Sequence, residues 1–145
     1  MIRRVLVVCI GNICRSPMAE GLFRRAIPDV QISSAGISAM VGHGADPIAV
    51  QIMADVGINI SSHRARMLTD AIARDADIIL VVDEQLKQEI ATQYPYARGK
   101  VFRLGESTGQ DIPDPYLQSP KVFRTVFSLI ENGVNEWAKR INSIN

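Results

Sequence analysis

The feature that most constrains the fold of this chain is a regular alternation of short, uncharged β-branched runs with longer amphipathic stretches. The first run, residues 5–8, is followed by Ser16-Pro17, which predicts a helix with a hydroxyl N-cap and a proline in its first turn. That helix is expected to end at Pro28. Further strands are predicted at residues 30–33, 77–82 and 101–104, and further helices are predicted to start at Asp46-Pro47, Asp83 and Ser119-Pro120. This order predicts an α/β fold of three layers, α/β/α, with a central four-stranded parallel sheet.

Two positions are expected to limit the later helices. The helix that starts at Asp83 should stop at Pro95, because proline lacks the backbone donor that a helix interior needs. The last helix should fray at Gly133, because glycine has the greatest conformational freedom.

The length, net charge and hydrophobic pattern of the chain restrict the class of protein. A chain of 145 residues is typical of one domain, here predicted to span residues 1–145. A net charge of +1 gives no electrostatic footprint for nucleic acid. The apolar run after Arg3 and Arg4 ends at Ile10, which is too short for membrane insertion and lacks a signal-type cleavage site. We therefore expect a cytoplasmic protein whose two cysteines stay reduced.

Residues 9–16, with the sequence C-I-G-N-I-C-R-S, lie between the first strand and the first helix and are called the phosphate loop below. A loop that curls into a helix N-terminus turns successive backbone N–H groups into one concavity, which binds anions. The amides that we expect to bind phosphate belong to Ile10, Gly11, Asn12, Ile13, Cys14 and Ser16. Gly11 would permit the close turn, Asn12 tolerates positive φ, and the planar fork of Arg15 can hold two phosphate oxygens.

The same field favours the thiolate form of Cys9, which makes it a candidate nucleophile, and Ser16 could donate a hydrogen bond to the sulfur. The pattern predicts a loop that takes a phosphoryl group onto sulfur. Two less specific interpretations are weaker. Half a metal site would need a second pair of ligands, which the sequence lacks. Inert buried thiols would not explain the arginine and the helix start at this spacing.

A departing oxygen needs a proton, so this chemistry predicts a carboxylic acid from elsewhere in the chain. The best candidate is Asp114 in the stretch DIPDPY, since Pro113 and Pro115 stiffen the backbone on both sides of it. Tyr116 could form a wall of the pocket and stack on an aromatic ring. Asp111 is the reserve acid, and an ordinary Asp-Pro turn is the alternative interpretation.

Four motifs, in this order and spacing, resemble those of the low-molecular-weight protein tyrosine phosphatases: CIGNICRSP near the N-terminus, SSAG at residues 33–36, SSHRAR at residues 61–66 and DPY at residues 114–116. The resemblance spans nearly the whole chain. The stretch SAGISAMVGHGADP is similar to the bacterial branch that is paired with tyrosine autokinases of capsule and exopolysaccharide export. This implies a metal-independent phosphatase without cofactors, whose partner is the phosphotyrosine-bearing cytoplasmic tail of such a membrane kinase.

Carried over to this chain, the family implies that Cys9 is the nucleophile, that Arg15 clamps the phosphate and the transition state, and that Asp114 acts as acid and then as base. The supporting hydrogen-bond network would comprise Asn12, Ser16, Ser34 and His63. Cys14 matches a cysteine that can form a reversible disulfide with the nucleophile.

The resemblance does not specify the substrate pocket, which varies within the family. Ile13, Met40 and Tyr116 are expected to line it, and Met40 and Val41 lie in a rim loop that varies in the family. Leu117 replaces a second tyrosine found in some relatives.

Three other activities share features with this sequence. Arsenate reductases of this fold relay a disulfide through further thiols, whereas this chain has only Cys9 and Cys14. Protein-arginine phosphatases of this fold carry a threonine where this chain has Ile13, and an apolar residue there suits a flat aromatic ring. A non-hydrolytic cysteine phosphocarrier would need the phosphate loop but no acid, so Asp114 favours a hydrolase.

Overall fold

The computed structural model describes residues 1–145, and it confirms the predicted fold class. Four parallel strands, β1 (Arg4–Cys9), β2 (Gln31–Gly36), β3 (Ile78–Val81) and β4 (Val101–Arg103), form one sheet in the order β2-β1-β3-β4. The α-helices are α1 (Arg15–Ala26), α2 (Pro47–Asp55), α3 (Asp70–Asp75), α4 (Glu84–Gln93) and α5 (Pro120–Ile144). Two short 3₁₀ turns cover Pro95–Lys100 and Glu106–Thr108.

The strands form where the sequence is apolar and β-branched, and β1 and β3 lie in the middle of the sheet with almost fully buried side chains. β2 runs three residues further than predicted, because the polar and small residues after residue 33 continue to pair with β1. The last pair in this register joins Cys9 to Gly36. The strands are parallel, so Cys9 lies at the edge of the sheet where β3 also ends.

Three of the four predicted helix starts are confirmed by their caps. The side chains of Asp46, Asp83 and Ser119 each accept a hydrogen bond from a backbone N–H in the first turn of α2, α4 and α5. The prediction for Ser16 is wrong: α1 begins at Arg15, and its N-cap position, Cys14, makes no side-chain cap. The Ser16 hydroxyl instead contacts the Cys9 thiol, so its hydrogen-bonding capacity is used inside the phosphate loop.

The expectation for Pro95 is confirmed, whereas that for Gly133 is wrong. α4 ends at Gln93, but α5 continues without a break through Gly133 to Ile144. A Cβ at position 133 would lie 2.7 Å from the carbonyl oxygen of Leu104, so the glycine lets α5 approach the end of β4 closely. α3, which begins after the cap residue Thr69, was not predicted because its six residues show no clear periodicity.

The helices cover the sheet and fix the position of the loops. α1 packs on β1, β2 and α5, while α4 packs on β3 and β4. Every helix is too short or too polar to cross a bilayer.

Candidate active site

The phosphate loop lies at the bottom of a cleft of about 230 Å³ at the carboxyl end of β1. Its walls contain nine of the predicted residues and one unpredicted residue, Ser38; the predicted ones are Cys9, Ile10, Gly11, Ile13, Cys14, Arg15, Met40, Asp114 and Tyr116. The structure therefore brings together the proposed nucleophile, arginine and acid, although Asp114 is about a hundred residues from the loop in sequence.

In the backbone of the phosphate loop, several carbonyls have partners within the chain, whereas most of the amides have none. The carbonyls of Cys9, Ile10 and Gly11 accept hydrogen bonds from the backbone of residues 37, 38 and 40. The amide nitrogens of residues 10, 11 and 13–16 donate no hydrogen bond within the chain. Because these N–H groups belong to a loop that enters a helix N-terminus, they are available to bind a tetrahedral oxyanion.

Glycine is required at a different position from the one expected. Gly11 has no positive φ, and a Cβ there would make only ordinary contacts, the nearest at 3.7 Å from Ile13. Gly36, in the SSAG motif, is the tight position, since its Cβ would lie 2.5 Å from the carbonyl oxygen of Ile10. The end of β2 thus needs a residue without a side chain to pass close to the phosphate loop.

Asn12 holds the loop in shape from behind. It is fully buried and adopts a left-handed φ of 57°, as its residue type predicted. Its Nδ2 donates to the hydroxyls of Ser16 (2.7 Å) and Ser34 (3.0 Å), and its Oδ1 accepts from the backbone N–H of Arg66 (2.9 Å). Its carbonyl lies 2.6 Å from Nε2 of His63, which must carry a proton there because a carbonyl can only accept.

The Cys9 sulfur accepts from this network. It lies 2.9 Å from Oγ of Ser16 and 3.3 Å from the backbone nitrogen of Asn12. Because Ser16 Oγ already accepts from Asn12 Nδ2, its own proton is free to point at the sulfur. Two donors directed at one buried sulfur are what a thiolate nucleophile requires.

Cys14 is in a different environment from Cys9. It is buried, and burial, assisted by the negative charge of Asp46, raises the pKa of its thiol well above the ordinary value. Cys14 is therefore a neutral thiol near pH 7, and both cysteines are free in the structure.

Arg15 connects the phosphate loop to the segment that carries Asp114. Its side chain is 3% exposed, and Nη1 donates to the carbonyl of Ile112 at 2.8 Å. The guanidinium lies 3.9 Å from Asp83 and 3.8 Å from Asp114, so two carboxylates balance its buried charge. A guanidinium has five N–H donors, which leaves several for an anion in the cleft.

The two candidate acids have different positions. Asp114 lines the cleft, its side chain is 47% exposed, and its Oδ1 accepts from the backbone N–H of Tyr116 at 3.0 Å. Asp111, the reserve acid, does not line the cleft. Its carboxylate accepts instead from the backbone N–H of Glu84 (3.1 Å) and from Arg103 (3.2 Å).

Sequence reasoning missed two members of the network behind the loop. Glu20 accepts a hydrogen bond from the Ser34 hydroxyl and pairs with Arg24. Arg66 donates from Nε to the carbonyl of Ser34 at 2.8 Å. Glu20 stands four residues after Ser16 on α1, a spacing that could have indicated it, and Arg66 lies within the SSHRAR motif. No group of three or more His, Cys, Asp or Glu side chains is arranged to hold a metal ion.

Comparisons with known proteins agree with this geometry. Residues 4–144 match the family model described as "Low molecular weight phosphotyrosine protein phosphatase". The chain is 50% identical over 144 residues to "Probable low molecular weight protein-tyrosine-phosphatase EpsP" of Ralstonia nicotianae, with 99% of each chain covered.

Two solved structures illustrate the range of relatives. The tyrosine phosphatase Wzb from Escherichia coli K30, in complex with sulphate, superposes with a TM-score of 0.94 at 39% identity, covering 97% of this chain and 99% of that one. The YwlE arginine phosphatase from Geobacillus stearothermophilus superposes with a TM-score of 0.91 at 31% identity, covering 97% and 94%.

Proposed function

The chain belongs to the family of low molecular weight protein-tyrosine phosphatases, and from this premise we propose that Cys9, Arg15 and Asp114 carry out the hydrolysis of phosphotyrosine through a phosphocysteine. The observation that carries the proposal is the Cys9 sulfur at the bottom of the cleft, with two donors directed at it and free amides around it. Asp114 lies in the wall of the same cleft.

The first half-reaction forms the phosphocysteine. The amides of the phosphate loop and the guanidinium of Arg15 bind the phosphate dianion, which holds phosphorus in line between Sγ and the phenolic oxygen. As the S–P bond forms and the P–O bond breaks, Asp114 gives its proton to the leaving phenolate oxygen. Negative charge on the equatorial oxygens is stabilised by the same donors that bind the ground state.

The second half-reaction returns the enzyme to its starting state. Asp114, now a carboxylate, takes a proton from water, whose oxygen attacks phosphorus as the S–P bond breaks. Inorganic phosphate leaves, and Ser16 and the amide of Asn12 again hydrogen-bond the thiolate of Cys9. No metal ion or cofactor takes part in this scheme.

The cleft wall supports tyrosine as the preferred phosphorylated residue. Ile13, Met40 and Tyr116 give the wall an apolar and aromatic character, which suits a flat phenyl ring better than a charged guanidinium. The 31% identity to an arginine phosphatase makes phosphoarginine the second candidate. Peptides carrying phosphotyrosine, phosphoserine or phosphoarginine in one sequence context, assayed side by side, distinguish them: we expect kcat/KM to be highest for phosphotyrosine, and a preference for phosphoarginine would contradict the proposal.

Rapid-quench kinetics with an aryl phosphate test whether the intermediate turns over. We expect a burst of one equivalent of phenol followed by steady release, and a phosphate group on Cys9 that can be trapped by acid quenching. A phosphocarrier would release one equivalent and stop. A steady state without any phosphocysteine would contradict the mechanism.

We also propose that the natural substrate is the phosphotyrosine-bearing cytoplasmic tail of a membrane tyrosine autokinase that acts in exopolysaccharide or capsule production, and that the enzyme works in the cytoplasm. The resemblance to the bacterial branch supports this, as does the identity to bacterial phosphatases along the whole chain. Purified phosphorylated tail should lose phosphate faster than an unrelated phosphotyrosine protein at equal concentration. Equal rates would remove the support for this partner.

A further inference from the structure

The position of Asp114 depends on contacts that lie before it in the chain. Residues 110–119, called the acid loop here, contain no helix or strand. After Asp114 the loop makes local turn hydrogen bonds at Tyr116 and Gln118, and Ser119 accepts hydrogen bonds from the first turn of α5. Before Asp114, both backbone polar groups of Ile112 are hydrogen-bonded: its N–H donates to the carbonyl of Val82, and its carbonyl accepts from Arg15.

Asp111 provides the adjacent anchor. Its Oδ1 accepts from the first backbone N–H of α4, at Glu84 (3.1 Å), and from Nη1 of Arg103 (3.2 Å). One carboxylate therefore joins the acid loop to α4 and to the end of β4. A carboxylate that accepts charged and helix N-terminal donors makes a stronger contact than a neutral pair.

Arg103 is itself held firmly. It is the last residue of β4, and its carbonyl accepts from Nε1 of Trp137 on α5 at 3.0 Å. Its Nη1 also donates to the carbonyl of Gly109, immediately before the acid loop, at 3.2 Å. The side chain is only 20% exposed, and Glu84 and Glu106 lie 3.5 Å and 3.6 Å from its Nε. Without Arg103, three carboxylates would repel one another at the root of the acid loop.

We infer that Asp111 and Arg103 form a positioning pair that holds the acid loop so that Asp114 can reach the leaving oxygen. This inference rests on the proposed function, because it takes Asp114 as the general acid. Proton transfer needs a heavy-atom separation of about 2.6–3.2 Å, and a misplacement of about 1 Å can cost about a hundredfold in rate. The pair acts only through Asp114 and touches neither the phosphate nor the nucleophile.

The test uses the dependence of kcat/KM on the leaving group, because kcat/KM reports the step in which the P–O bond breaks. A good leaving group such as p-nitrophenol needs little protonation, whereas phenol and tyrosine need it fully. For Asp111→Ala we expect kcat/KM to fall about 10–100-fold with phenyl phosphate or a phosphotyrosine peptide, and less than about threefold with p-nitrophenyl phosphate. Arg103→Met should show the same pattern.

Asp75→Asn is the matched control. Asp75 also pairs with an arginine, Arg4, at 2.6 Å, but this pair lies at the opposite end of the sheet, where β1 begins. This variant should keep wild-type kcat/KM with every leaving group. Asp111 is 53% exposed, so Asp111→Ala is expected to fold, and it carries the test by itself if Arg103→Met does not fold.

A double-mutant cycle separates positioning from general damage. If Asp111 acts through Asp114, then Asp111→Ala in an Asp114→Asn background should lower kcat/KM no further. Equal losses with all leaving groups, or additive losses in the double variant, would overturn the inference while leaving the proposed function intact. If Asp114→Asn alone showed no leaving-group dependence, the assignment of the acid would fail, and the inference would fail with it.

Discussion

The phosphate loop and the acid loop meet in one cleft, but they are built differently. Six of the eight residues in the phosphate loop are buried, and the side chain of Asn12 connects the loop to Ser34 and to the backbone of Arg66. Only two of the ten residues in the acid loop are buried, Ile112 and Pro115. The side chain of Asp114, the acid proposed for this loop, is half-exposed.

The difference corresponds to two kinds of task. Stabilising charge requires donors that are fixed before the substrate arrives, because donors that must reorganise lose most of their effect. The phosphate loop therefore belongs to the rigid core. Proton transfer is the task proposed for Asp114, and this residue lies on a segment in which few residues are buried.

Each loop also contains one non-glycine residue with positive φ, Asn12 at 57° and Leu117 at 62°. Asn12 is fully buried and its side chain makes three hydrogen bonds, whereas Leu117 is 83% exposed. The left-handed backbone conformation is stabilised by side-chain hydrogen bonds at Asn12, whereas no such hydrogen bond stabilises it at Leu117.

The largest expected effect concerns the nucleophile in the phosphate loop. Cys9→Ser should lower turnover by at least about 10⁴-fold, because a hydroxyl is a far weaker nucleophile at neutral pH. Binding of inorganic phosphate, measured by calorimetry, should survive, since the amides and Arg15 remain. Cys14→Ser is the control in the same loop and should retain most activity, because Cys14 is a neutral, buried thiol. Similar losses in both variants would contradict the assignment of Cys9.

The next effect concerns the acid loop. Asp114→Asn should lower kcat/KM for a phosphotyrosine peptide by about 10²–10³-fold, which is the usual contribution of general acid catalysis. Phosphate affinity should change by less than about tenfold, because Asp114 lies 3.8 Å from Arg15 and offers no donor to the anion. Full activity in this variant would show that the proton comes from another group.

The two positive-φ residues should respond in opposite directions. Asn12→Ala should lower the free energy of unfolding by about 2–4 kcal/mol, because it leaves buried partners without hydrogen bonds. Leu117→Gly should raise it by up to about 1 kcal/mol, because it relieves a left-handed residue that has no compensating contact. Urea denaturation of both variants measures this. Changes of the same sign would contradict this difference between the two loops.

The smallest expected effect is a dependence of the free energy of unfolding on pH that arises from Cys14 in the phosphate loop. The folded protein raises the pKa of Cys14, so the thiol keeps its proton in the native state while the unfolded chain loses it above about pH 9. Stability from this group is therefore fully present below about pH 9 and declines above it by up to about 1.4 kcal/mol per pH unit. Cys14→Ala should unfold with a weaker alkaline decline than the wild type in parallel urea titrations. Equal declines would show that Cys14 titrates normally.

Much of the phosphate loop could be predicted because its geometry is local. The left-handed residue at Asn12 and the strand that ends at Cys9 depend on neighbours within a few residues. The prediction of Ser16 as an N-cap failed because its hydroxyl contacts the Cys9 sulfur instead of a backbone N–H of α1.

The acid loop could be predicted only in part. DIPDPY offered two carboxylates three residues apart, and the flanking prolines favoured Asp114 but left Asp111 as the reserve. The answer depends on Arg103 and the N-terminus of α4, which hold Asp111 away from the cleft. The roles of Glu20 and Arg66 were also missed, because they arise where α1 and the SSHRAR segment meet β2.

The sequence by itself determined the alternation of strands and helices, the parallel sheet that follows from it, and a loop able to hold an anion beside a thiol. These follow from side-chain periodicity and backbone preferences that act over one or two turns of chain. Only the tertiary structure decided which of the two aspartates lines the cleft, because the deciding contacts, such as that of Arg15 with the carbonyl of Ile112, join residues 97 positions apart. No local preference encodes such a pairing; it exists only once the sheet and α4 have packed.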